Sequence, residues 1–175
     1  MKILKYAGLT GAVLAGVFLS IGFFVPSFSY ESRIEVNAPL EQAFAVFNDP
    51  SHMGEWMSGF KSIETISGNP NEVGSRYRLV IVENGEEKVT IEEMTAFQKN
   101  ERFGFRLISD ALIANVDIRF TDQDGRTVIT DVTRVEGRNF LWKSLLPLFK
   151  SMMVDKAHEN YSRLKQVIEN SVTAL

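Results

Sequence analysis

Two dipeptides, Asn84-Gly85 and Asp124-Gly125, each sit between runs that alternate apolar and polar side chains, and they decide most of what this chain can become. A two-residue type I′ hairpin needs positive φ at both central positions, which Asn-Gly and Asp-Gly tolerate best. The first pair should join a strand over 75–83 to one over 87–97. The second should join a strand containing Ala114, Val116, Ile118 and Phe120 to one over 126–136. Within the first strand Tyr77, Leu79 and Ile81 share a face opposite Arg76, Arg78, Val80 and Val82, and Phe103, Phe105 and Leu107 alternate with Arg102, Gly104 and Arg106. Further strands are predicted over 29–36 and 61–67, the latter ended by Gly68-Asn69-Pro70-Asn71. The pattern is an antiparallel meander with one apolar face.

That face has to be covered by something. Pro39 suits a first helical position behind Asn37 or Ala38, and Leu40, Ala43, Phe44 and Phe47 fall on one side of the helix that follows. Asn48-Asp49-Pro50 stops it, and a short turn over 51–57 carries Met53, Trp56 and Met57. The longest helical pattern covers 139–170, where Leu141, Leu145, Leu148, Met152, Tyr161, Leu164 and Ile168 recur at three- and four-residue intervals, with Pro147 expected to kink or break it. Only this element is long enough to close the concave side of a curling sheet. The expected class is therefore α+β, with a curved antiparallel sheet of about seven strands wrapped around a long C-terminal helix.

Ahead of this domain, residues 6–25 carry no charge and follow Lys2 and Lys5. Twenty helical residues cover roughly the 30 Å of a bilayer core, so the run reads as a transmembrane anchor with a cytoplasmic N-terminus and an extracytoplasmic domain, periplasmic in a bacterium. A cleaved signal peptide competes, with Ser27-Phe28-Ser29 as a small-x-small site before Tyr30, in which case the domain is secreted. The length of the run favours the anchor. Gly8, Ala12, Gly16 and Ser20 form a small-residue stripe that would allow two such helices to pair, although small residues are common in membrane helices anyway. The division expected is an anchor and linker over 1–29 and one domain over 30–172.

With 22 acidic residues against 19 basic ones, two of them in the leader, the domain carries a formal charge of −5, which argues against nucleic acid as a partner. Cysteine is absent, and His52 and His158 lack metal-binding spacing, so neither a metal nor a cofactor is implied.

Several segments together resemble a known family. These are Val36-Asn37-Ala38-Pro39 with Glu41-Gln42-Ala43-Phe44, then Asn48-Asp49-Pro50 followed by Trp56, then Val73-Gly74-Ser75-Arg76-Tyr77-Arg78, and Asn100-Glu101-Arg102-Phe103-Gly104-Phe105-Arg106. Over residues 30 to about 170 the chain resembles the START-like superfamily, the polyketide cyclase/dehydrase and lipid-transport group with the helix-grip fold. The resemblance implies a cavity between sheet and terminal helix that takes a small apolar or amphipathic molecule. Its wall would draw on Trp56, Met57, Tyr77, Leu79, Ile81, Phe103, Phe105, Val116, Ile118, Leu145, Phe149 and Met152.

Within that frame, non-covalent binding of a lipid or polyketide-like ligand is the leading reading. A cyclase or dehydratase of the same fold is the rival, and an interaction module with a filled core is the third. Catalysis would need an acid or base inside the cavity. Glu93 and Asp131 qualify by strand parity with Ile91 and Ile129, and Tyr77 by its place beside Leu79 and Ile81, but a one-residue change of register would turn either carboxylate to solvent. Arg76, Arg78, Arg102, Arg106 and Arg119 are expected on the outer face as partners of acidic residues. The apolar stretch 145–149 around Pro147 has three readings: core, cavity gate, or a surface that dips into the nearby membrane.

Overall fold

A computed structural model describes residues 6, 16, 18, 20 and 22–173. The alternating segments form one seven-stranded antiparallel sheet in the order β1-β7-β6-β5-β4-β3-β2. Its strands are β1 (Ser27–Val36), β2 (Phe60–Ser67), β3 (Arg76–Glu83), β4 (Glu86–Gln98), β5 (Arg102–Ile108), β6 (Leu112–Gln123) and β7 (Arg126–Gly137). Both predicted tight hairpins form with the backbone the dipeptides suggested: φ is 53° and 82° at Asn84 and Gly85, and 54° and 81° at Asp124 and Gly125.

Helices α1 (Leu40–Asn48) and α2 (Met53–Trp56), with a 3₁₀ turn at Pro50–His52, carry the chain from one edge of the sheet to the other. Helix α1 buries Ala43, Phe44 and Phe47, the face predicted. No side chain caps it, and Pro39 occupies the cap position expected for Asn37 or Ala38. At the next turn Asp49 Oδ1 accepts from the Ser51 amide at 2.9 Å, closing the 3₁₀ start.

Helix α3 (Phe140–Thr173) lies against β1, β7, α1 and α2. It runs on through Pro147 without a break, which corrects the expectation of one. Its buried side follows the later half of the predicted stripe but not the earlier half. Leu146, Tyr161, Leu164 and Ile168 face inward, whereas Leu141, Leu148 and Met152 are exposed. Met152 and Tyr161 are nine residues apart, about two and a half turns, so they point to opposite sides of the helix. Two apolar patterns in different phase follow one another here, and only the later one faces the sheet.

The core falls into two clusters. A large one gathers α1, Trp56, Val116, Ile118, Phe120, Ile129 and the second half of α3, while a smaller one joins Ala114, Val135 and Leu146 with Phe28, Tyr30 and Leu107 around it. Among the described residues no helix is long and apolar enough to cross a membrane. Most of the uncharged 6–25 run, with Gly8 and Ala12 of its stripe, lies outside the described residues. Gly16 and Ser20 of the stripe are described and exposed.

Candidate functional site

The inner face of the sheet is organised in cross-strand rows. One row runs Met94, Phe105, Val116, Thr133, Tyr30, and a second runs Phe97, Phe103, Ile118, Asp131, Ser32. A third contains Thr65, Tyr77, Glu92, Leu107 and Ala114. Between these rows and the helices is a cavity of about 550 Å³, within the range of roughly 300 to 1,000 Å³ usual for small-molecule sites.

The cavity is mostly apolar. Phe47, Met53, Trp56 and Met57 contribute from the helical pair, Ile63, Met94, Phe103, Phe105, Leu107, Val116 and Ile118 from the sheet, and Ala157 from α3. The aromatic wall is packed ring on ring: Phe47 stacks on Trp56 with centroids 5.9 Å apart and meets Phe103 edge-on at 5.3 Å. The Ser58 amide donates to Asn160 Oδ1 at 3.0 Å, which ties the loop after Met57 to α3.

Two features built on carboxyl groups interrupt this wall, alongside the polar side chains of Asn48, Thr65, Asn71, Tyr77 and Asn160. The first is a cluster on β1, β7 and α3. Thr133 Oγ1 donates to Asp131 Oδ1 at 2.8 Å, and the Tyr161 and Tyr30 hydroxyls lie near enough to interact with this pair. Burial pushes the Asp131 carboxyl up to about 6, although the hydroxyl donors pull the other way. Tyr161 is held well above the ordinary phenol range by burial and then by the Asp131 charge, and Tyr30 is raised for the same two reasons.

The second feature is Glu92, 5% exposed and bordering the cavity. Its carboxyl has no hydrogen-bond or ion-pair partner among the described residues, and burial alone pushes it up to about 7. Glu92 and Asp131 stand on β4 and β7, three strand spacings apart, or about 14 Å along a flat sheet. They are separate polar points on one wall rather than a coupled pair.

Of the residues predicted to line a pocket, Trp56, Met57, Tyr77, Phe103, Phe105, Val116 and Ile118 border the cavity. Leu79 and Ile81 share the face of Tyr77 but sit one and two rows nearer the β3–β4 hairpin, beyond its wall. Leu145, Phe149 and Met152 do not line it either, because their stripe on α3 is out of phase with the buried side. Asp131 and Tyr77 lie where parity placed them.

Glu93 does not lie in the cavity. It is on the outer face, 3.9 Å from Arg76 and 4.0 Å from Arg106. The cause is a β-bulge between Met94 and Ala96, where Thr95 has no partner on β5. The bulge shifts parity by one, so Glu92 and Met94 share the inner face with Phe97. The other arginines are also on the outer face. Arg102 grips Asp117 with two hydrogen bonds of 2.7 and 3.2 Å, Arg119 lies 3.6 Å from the same carboxylate, and Arg78 lies 4.0 Å from Glu64. Glu92, Thr133 and Tyr30 were not legible as site residues. Tyr161 was read only as part of the apolar stripe of α3, and it too borders the cavity.

An antiparallel sheet closed by a C-terminal helix over an apolar chamber defines a helix-grip protein. The family model described as polyketide cyclase/dehydrase and lipid transport matches residues 27–169, and the chain belongs to that family. Similar solved structures include Ara h 8.0201, with 16% identity, a TM-score of 0.67, and coverage of 85% of this chain and 99% of that one. A Staphylococcus aureus protein of unknown function has 19% identity and a TM-score of 0.65 over 85% of this chain and 99% of its own. The Zhui aromatase/cyclase from Streptomyces sp. R1128 has 12% identity and a TM-score of 0.67 over 83% and 96%. At such identities the likeness concerns the fold. No curated protein matches the chain.

Proposed function

We propose that this protein binds a small apolar or amphipathic molecule, lipid-like or polyketide-like, in the cavity under α3 without covalent chemistry. The observation that carries this reading is the 550 Å³ chamber itself, whose wall is mainly aromatic and aliphatic surface. Native mass spectrometry of the full chain taken from its own membranes, followed by solvent extraction, tests it. A co-purifying small molecule is expected, and a rigid domain that carries none would overturn the reading.

The proposal extends to location, with residues 6–25 as anchor and the domain outside the cytoplasm. Gly22 supports this, because an added Cβ there would fall within about 3 Å of Ser144 and Phe140 on the first turns of α3. Gly22 is three residues from the end of the uncharged run, about 5 Å along a helix. If that run crosses a bilayer, the start of α3 lies at interfacial depth. Phe23, Phe24 and Val25 are exposed there, as are Phe140, Leu141, Leu148, Phe149 and Met152. Such a surface suits lipid contact. Pairing of two chains through Gly8, Ala12, Gly16 and Ser20 belongs to the same proposal.

Glu92 and Asp131 favour a second reading, a cyclase or dehydratase. Buried carboxyls whose pKa values sit near neutrality are what acid–base chemistry requires. In that case Glu92→Gln and Asp131→Asn each abolish turnover while ligand binding survives. A binder shows changes in affinity alone.

A further inference from the structure

The cavity wall holds two carboxyl groups, Glu92 and Asp131, and no lysine, arginine or histidine. Arg76, Arg78, Arg102, Arg106 and Arg119 lie on the other face of the sheet, beside Glu93, Asp117 and Glu64. Asp131 already accepts from Thr133, with the Tyr161 hydroxyl beside it. Glu92 has no such donor, although it is almost wholly buried. Its carboxyl oxygens are not sealed off and it borders the cavity, so a donor arriving on a ligand can reach them and offset the cost of their poor hydration.

From this we infer that the cavity is built for an apolar molecule bearing a hydroxyl or an amine, and against carboxylate or phosphate ligands, with Glu92 as the residue that reads the polar group. The inference rests on the binding function proposed above and narrows its ligand class. An anionic headgroup would enter a low-dielectric chamber with no cation to receive it, so its desolvation goes uncompensated. An amine meets Glu92 as an ion pair, and a hydroxyl donates to it. Tyr77, the cross-strand neighbour of Glu92, also borders the cavity and places a second polar group on that side. The far end of the ligand meets the Phe47, Trp56 and Phe103 rings.

Three probes with one frame test this: 2-naphthylmethanol, 2-naphthylmethylamine and 2-naphthoate, titrated calorimetrically into full-length protein in nanodiscs, with empty nanodiscs as reference. The amine and the alcohol should each bind at least about tenfold more tightly than the carboxylate, and Glu92→Gln should weaken the amine by about tenfold while holding the alcohol within about threefold. Glu92→Leu should remove both preferences. Thermal melts of the two variants verify folding, which neither threatens because each removes a buried ionisable group. Equal affinity for all three probes, tighter binding of the naphthoate, or preferences unchanged in both variants overturns the inference and leaves the binding function standing. Failure of all three probes to bind folded wild-type protein overturns that function and the inference with it.

Discussion

Glu92 faces inward because β4 carries one residue more than its partner can pair. Simple alternation places Ile91, Glu93, Thr95 and Phe97 on one face, and Phe97 does point into the core. The bulge at Thr95 absorbs one position, so everything before it exchanges faces. Nothing in the composition of 91–97 signals this, since bulges depend on the partner strand as much as on their own. Asp131 was legible because β7 is regular, with Ile129, Asp131, Thr133 and Val135 all buried on one side. The two carboxyls make a prediction at this scale. Both have folded pKa values raised above the ordinary carboxylate range, Glu92 from 4.5 to about 7 and Asp131 from 3.8 to about 6. The folded state therefore holds their protons more tightly than the unfolded chain does. Their contribution to stability is favourable below about pH 4 and is lost as pH rises to about 7. In urea denaturation, Glu92→Gln should be more stable than wild type at pH 8 by on the order of 3 kcal/mol, with the two converging toward pH 4.5. A constant difference across that range would refute the assignment.

Among the elements, the strands and hairpins were readable to within a residue or two, because turn chemistry and period-two alternation agree there. Helix α3 was readable in extent but not in orientation. Its first half offers an apolar stripe through Leu141, Leu145, Leu148 and Met152 that looks like a core face, yet the buried partner in that region is Leu146. Periodicity alone cannot tell which of two stripes meets the sheet. Leu146→Ala should cost about 2 to 5 kcal/mol in thermal or urea unfolding, as buried leucines do. Leu148→Ala, at 66% exposure, should change stability by less than about 0.5 kcal/mol. The reverse order would place the buried side of α3 where the sequence pattern first suggested. Gly59 offers a second test. Its φ is 74° and an added Cβ would lie 2.4 Å from the Val82 carbonyl, so Gly59→Ala should destabilise by more than about 1 kcal/mol and loosen the turn after Met57.

For the molecule as a whole, fold class, strand number and the covering helix followed from the sequence, as did much of the cavity wall. The polar content of the cavity did not, because it depends on the bulge and on three elements meeting at Asp131. The chain holds two tryptophans, Trp56 in the cavity wall and Trp142 on the first turn of α3. If this end of α3 rests on lipid, Trp142 fluorescence of full-length Trp56→Phe protein in vesicles should be quenched by lipids brominated near the headgroup. Adding Leu148→Asp and Met152→Asp should reduce the quenching. Absence of quenching in the first variant would separate the domain from the bilayer surface.

Strand β1 pairs with β7, so Ser27 lies beside Glu136 and Val36 beside Thr127, roughly a hundred residues further along. Local pairing can zip the central strands early, but this last seam joins the two ends of the domain and should form late. A ribosome or translocation channel that has released only the first hundred residues has thus delivered β2, β3 and β4 as a partial sheet, with β1 still unpaired and no roof. Loading of any guest has to wait until the final helix emerges.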